Sequence, residues 1–166
     1  MLLSISGILR NRDSVYQLMN NLINENCSIS RISLLMTDKI QSRFFKMAKA
    51  ARAPQAGFTE ILKAGILDPI LRSLAQVNSI KVNDDNLMAS GRLYDSLVNK
   101  PTGSNLKKTL IGFGMSEHKA CNYESALSQD GILIWVHGVS NVDESCINNI
   151  FYKNGAEDIV VGYQSV

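Results

Sequence analysis

His118 and Cys121 stand three residues apart with Glu117 and Glu124 beside them. On a helix that spacing gathers imidazole, thiol and carboxylate within one turn, the donor set of a divalent transition metal. His137, the only other histidine, would have to be a distant third ligand. No second Cys or His pair stands at a metal-ligating spacing, and Cys121 is expected near the apolar side of its helix, so we assign no metal and no cofactor. A histidine could also activate a cysteine nucleophile. Nothing in the sequence places Cys27, Cys121 or Cys146 beside either histidine, and we assign no catalytic residue. Gly112-Phe113-Gly114 ahead of a helix could present backbone N–H groups to an anion, but it lacks a third glycine and a preceding strand. Trp135, among aliphatic neighbours, reads as a core or interface anchor rather than a stacking platform.

A different chemistry is offered by Lys39, Arg43, Lys46, Lys49 and Arg52, which share a helical stretch with Ile40, Phe44, Met47, Ala48 and Ala51 and have no acidic neighbour before Glu60. Such a basic amphipathic helix could meet an anionic partner by releasing counterions. Its apolar arc is narrow, and a solvated outer face is the plainer reading. No nucleic acid is expected, and peripheral membrane contact is disfavoured.

These residues must be positioned by elements that the sequence punctuates clearly. Ser116 before Glu117 can cap a helix whose apolar residues Ala120, Tyr123 and Leu127 recur at helical spacing, and Asp130-Gly131 supplies a turn that tolerates a left-handed backbone. Ile132 to Val136 is a continuous apolar run, the mark of a covered strand. Ser140 or Asn141 can cap the next helix, with Val142, Cys146, Ile147, Ile150 and Phe151 on one arc; Asn154-Gly155 stops it, and Ile159 to Tyr163 reads as a final strand. The beginning repeats this grammar. Leu3, Ile5 and Leu9 alternate with Ser4 and Ser6 on a strand, Asn11 to Ser14 offer caps for a helix bearing Val15, Leu18, Met19, Leu22 and Ile23, and Ile32, Leu34 and Met36 mark a second strand.

Two βαβ-like halves therefore flank a long middle. They most economically form one four-stranded sheet with helices packed on one face, a ferredoxin-like α+β fold. We read residues 1–166 as a single domain: 1–38 as the first half, 39–103 as a helical insertion, and 104–166 as a helix plus the second half. Within the middle, Val77 to Val82 is a short extended piece, Asn83 to Asn86 a turn, and Leu87 to Val98 a helix.

The composition suits this architecture. A chain of 166 residues, 45% hydrophobic, can bury an ordinary core without disulfides or metal. A net charge of +2 with 19% charged residues argues against a strong field for nucleic acid. Three cysteines without CxxC spacing suit reduced thiols. The opening MLLSISGIL lacks a basic region and a small-residue cleavage site, and no apolar run approaches the roughly 20 residues that span a bilayer; a cytoplasmic location is expected.

The opening GIL, Asp/Ser helix start and ISLLMTD, and above all GFGMSEHKACNYESALSQDGILIWVH and YKNGAEDIVV, resemble the bacterial general or heat-induced stress protein family, whose biochemical activity is uncharacterised. The resemblance covers about half the chain. That family's middle is rich in Gly and Ala, like a glycine zipper; here Leu87 to Leu97 is the part that resembles it, with Arg92, Tyr94 and Asp95 where small residues are usual, which disfavours membrane insertion. The resemblance implies a noncatalytic, stress-associated protein, not an enzyme, acting through a protein partner or as a homo-oligomer such as a dimer. An alternative is a small-ligand-sensing module, because a strand with Gly7 followed by the polar turn Asn11-Arg12-Asp13 also resembles amino-acid-binding regulatory domains of ferredoxin-like fold.

Overall fold

A computed structural model describes residues 3–37, 39–40, 78–82, 85–89 and 106–163. In chain order the elements are β1 (Leu3–Leu9), α1 (Arg12–Asn24), a 3-10 turn (Ile29–Arg31), β2 (Ile32–Thr37), β3 (Asn78–Val82), β4 (Asp85–Ala89), α2 (Leu106–Gly112), α3 (Glu117–Ser128), β5 (Ile132–Val139), α4 (Glu144–Lys153) and β6 (Glu157–Tyr163).

Local chemistry sets the helix ends. Asn11 caps α1 by accepting from the Ser14 N–H at 2.8 Å, and Ser116 caps α3 by accepting from Lys119 N–H at 3.2 Å, each satisfying an orphan donor of the first turn. Before α4, Ser140 Oγ accepts from Asp143 N–H at 3.2 Å and donates to the Asp143 carboxylate at 2.9 Å, closing the turn from which the helix starts. Each of the helices α1 to α4 stops on one left-handed residue: Asn26 (φ 63°), Gly114 (φ 92°), Asp130 (φ 65°) and Gly155 (φ 77°). Asp130, rather than Gly131, takes the left-handed conformation; Gly131 is required by proximity, since a Cβ there would stand 2.7 Å from the Ala126 carbonyl oxygen.

The four strands read from the sequence form one antiparallel sheet in the order β2-β5-β1-β6, and the hairpin β3-β4 joins it beside β2, making six. Leu87, expected to open a helix, lies instead in β4 opposite Thr37. At Leu87 to Ala89 the expected helix gives way to pairing with β2, which buries Leu87 and Ala89. Residues 39–103 are therefore not wholly helical; beyond 39–40 and the hairpin, that stretch lies outside the described residues.

Helices cover both faces of the sheet, not one. Leu3, Ile5, Leu9, Ile32, Leu34, Met36, Ile132, Ile134 and Val136 form one core with Val15, Leu18, Met19 and Leu22 of α1 and Ile147 and Phe151 of α4. The alternate residues Ile8, Leu35, Leu133 and Trp135 form a second core with Leu106 and Leu110 of α2 and Ala120, Tyr123, Ala126 and Leu127 of α3. Ser4 and Ser6 consequently face this second core and are buried.

Two bulges shape β1 and its neighbours. Leu3 pairs with Val139 and Ile5 with Val136, so His137 and Gly138 together oppose Ser4, with Gly138 at φ 66°. Ile8 pairs with Glu157 and Ser6 with Val160, so Asp158 and Ile159 oppose Gly7, with Asp158 at φ 49°. Gly7 lies inside the strand: a Cβ there would meet Phe151 Cδ1 at 2.9 Å and Ala156 Cβ at 3.1 Å. Its lack of a side chain seats the Phe151 ring.

Candidate functional site

The groups that the sequence offered for chemistry are dispersed. His118 and Cys121 are both exposed on α3, and Cys121 lies away from the apolar side where it was expected. A surface clasp lies beside it. Lys107 Nζ on α2 donates to Glu117 Oε1 at 2.9 Å, and hydrogen bonds to Glu117 and then Cys121 hold the ammonium above its ordinary range while Lys107 holds the Glu117 carboxyl below its own. His137 lies on β5, buried in the second core's face of the sheet. Among the described residues no three His, Cys, Asp or Glu side chains are grouped to hold a metal ion.

Cys146 is exposed, as is Val142 at 88%, so the buried arc of α4 narrows to Ile147 and Phe151 with Ile150 half-buried. Desolvation and then the Glu25 carboxylate, which hydrogen-bonds the thiol, push Cys146 up. Cys27 is buried after α1, and burial pushes its thiol up against the opposing pull of Arg31.

One polar grouping was missed by sequence reading. Ser33 Oγ and His137 Nε2 are 2.8 Å apart, the contact of a nucleophile and its base. The bulge at His137-Gly138 aims the imidazole across to β2, and Phe113 covers the ring, its centroid 5.4 Å away. Arg31 fixes the bulge from the sheet's end, donating from Nε to the His137 carbonyl at 3.0 Å and from Nη2 to the Gly138 carbonyl at 2.8 Å. Ser33 and His137 are 0% and 2% exposed, so both side chains are buried. The partners lie 104 residues apart, out of reach of any local sequence pattern.

A second polar group ties α3 to β6. The Tyr123 hydroxyl donates to the Asp158 carbonyl at 2.6 Å and shares a hydrogen bond with Ser6 Oγ at 3.1 Å, while Lys119 Nζ meets Asp158 Oδ1 at 2.9 Å. Burial pushes the Tyr123 phenol far above its ordinary value; the Ser6 hydrogen bond pulls the other way, and the Asp158 carboxylate adds to the rise. The folded state thus keeps this proton where the unfolded chain releases it, near pH 10. Above that pH the native state binds more protons than the unfolded one, and stability falls as pH rises. Tyr123→Phe is expected to lose about 1–2 kcal/mol at neutral pH, because the Asp158 carbonyl loses its donor, and to show a shallower alkaline decline. Urea unfolding of both proteins at neutral pH and above pH 10 checks this; equal alkaline slopes would remove Tyr123 as the source.

Gly112-Phe113-Gly114 is a packing device. Ser4 Oγ donates to the Phe113 carbonyl at 3.3 Å, and Gly114, at φ 92°, lies so close to β6 that a Cβ would stand 2.9 Å from the Tyr163 carbonyl oxygen. Gly162 returns the contact, its missing Cβ 2.8 Å from the Phe113 carbonyl oxygen.

Of the five basic residues named from the sequence, Lys39 is described: it lies in a helical turn and its Nζ is 3.3 Å from Asp130 Oδ2. Arg43, Lys46, Lys49 and Arg52 lie outside the described residues. No helix among the described residues is long and apolar enough to cross a membrane. No family model, curated protein or solved structure matches the chain.

Proposed function

We propose that this chain is a noncatalytic, stress-associated cytoplasmic protein acting through protein–protein interaction or self-association. The observation that carries this reading is the fate of the Ser33–His137 pair: it is buried beside Phe113 and built into a strand bulge that Arg31 anchors. Groups used in this way hold a sheet together. We also read β1, α1, β2 and β5, α4, β6 as the two halves of a ferredoxin-like duplication with the intervening chain inserted. The strand order β2-β5-β1-β6, with α1 and α4 on one face, supports this. The stress association rests on the resemblance of the motifs alone.

Gly7 weakens the ligand-sensing alternative, since it sits inside β1 under Phe151 rather than in a binding loop. Thermal-shift screening of the full chain against amino acids, nucleotides and metals, beside native capture of partners from the source cell, tests the proposal. The expected result is a flat screen together with association, either with a captured protein or between copies of the chain. Saturable stabilisation by a small molecule would overturn it. If the basic residues take part, an Arg43→Glu/Lys46→Glu variant captures less.

A further inference from the structure

β6 is a terminal strand of the sheet, bonded to β1 along one side, and among the described residues no strand pairs with its other side. Exposed edges invite further strands and are usually guarded by charge, proline or irregularity. β6 carries such guards only at its start, where Glu157, Asp158 and the bulge opposite Gly7 fall together. From Ile159 to Tyr163 there is no charge, no proline and no further break in register. Val161 and Tyr163, in register with Ile5 and Leu3 and so on the α4 face, are 36% and 64% exposed. Tyr152 adds to this edge. It is 75% exposed and lies about 240° around α4 from Cys146, which faces α1, and so on the other flank of the helix.

We infer that this edge pairs with the same edge of a second copy of the chain, antiparallel about Val161. The inference rests on the interaction reading above and specifies its self-association arm. Charge favours this arrangement over a parallel one. An antiparallel two-fold sets Ile159 opposite the second copy's Tyr163, and carries each Glu157 and Asp158 beyond the other strand's neutral end; a parallel pairing would align the acids. Within each copy these carboxylates are already matched, Glu157 by Arg10 at 2.6 Å and Asp158 by Lys119 at 2.9 Å. On the α4 face, Val161 meets its counterpart and Ile159 meets Tyr163, the aliphatic and aromatic cross-strand pairs that stabilise antiparallel sheets. The sheet then continues unbroken through both copies.

Sedimentation of the full chain over roughly a hundredfold concentration range should show a monomer passing to a dimer. Val161→Lys, which brings two ammonium groups together at the axis, should weaken that association by about tenfold or more with an unchanged circular dichroism spectrum. In a Cys121→Ser/Cys146→Ser background, Val161→Cys should cross-link to a covalent dimer under mild oxidation, whereas Ser125→Cys, exposed on α3, should not. The cross-link stands as a test even if the lysine variant fails to fold. A monomer at every concentration, equal cross-linking from both positions, or undiminished dimerisation of folded Val161→Lys would overturn the inference. A monomeric chain that still captures a different protein would overturn this edge and leave the interaction reading standing.

Discussion

Trp135→Ala should cost about 3–5 kcal/mol of folding stability, a large part of the roughly 5–15 kcal/mol by which domains are stable. Trp135 is 1% exposed at the centre of β5. Its register partners on the two neighbouring strands are Ser6 and Ser33, so the large indole is flanked by small side chains. Tyr123 closes over it in an edge contact, with centroids 5.5 Å apart and planes at 64°. Truncation would empty the space between two small residues, and neither serine can swing in without leaving its partner, Tyr123 for Ser6 and His137 for Ser33. Urea unfolding followed by far-ultraviolet circular dichroism measures the loss, because the variant has no tryptophan left. A midpoint shift no larger than that of the exposed Ser125→Ala would contradict this account of the second core. Trp135→Phe, which keeps a ring against Tyr123, should lose less.

The second large effect separates two glycines that look alike in sequence. Gly114→Ala should lose about 2–5 kcal/mol, from a left-handed residue acquiring a Cβ and from overlap with the Tyr163 backbone. Gly162→Ala should lose about 1–3 kcal/mol by driving a methyl group at the Phe113 carbonyl. Gly112→Ala should be neutral or gain about 0.5–1 kcal/mol, since it ends α2 and an added Cβ there meets nothing within 4 Å. The three variants, compared by urea midpoint, form one series. Equal losses at Gly112 and Gly114 would mean that the loop is not held by its close approach to β6.

That series also shows what the sequence could and could not reveal. Caps, stops and strand periods were legible because they are local: Asn11, Ser116 and Asn154-Gly155 act within four residues of themselves. The grouping of Gly112-Phe113-Gly114 was visible, but its purpose depends on β6, some fifty residues on, as the Tyr163 contact shows. Ser4 and Ser6 alternate with Leu3 and Ile5, a pattern that marks a strand without telling what covers the serine side; they are buried because the Phe113 carbonyl and the Tyr123 hydroxyl satisfy them there. That hid the second covered face, and with it the surroundings of His137. In β4, Leu87 and Ala89 stand two residues apart, which puts them on one face of a strand, but two residues are too short a pattern to outweigh the helical spacing read across the longer stretch, and pairing with β2 decides.

The placement of β1 between β5 and β6 carries a consequence for biosynthesis. A ribosome finishes residues 3–9 long before it reaches 132–139, and at about 5–20 residues per second the interval is roughly 6–25 s. Throughout it, an apolar strand waits with both edges unpaired, which is the interval in which a nascent chain needs a chaperone. The segment between β2 and β5 sets the length of that wait, while the entropy of closing it grows only with the logarithm of its length. Altering that segment's length would therefore change the timing of folding on the ribosome far more than the stability of the finished sheet.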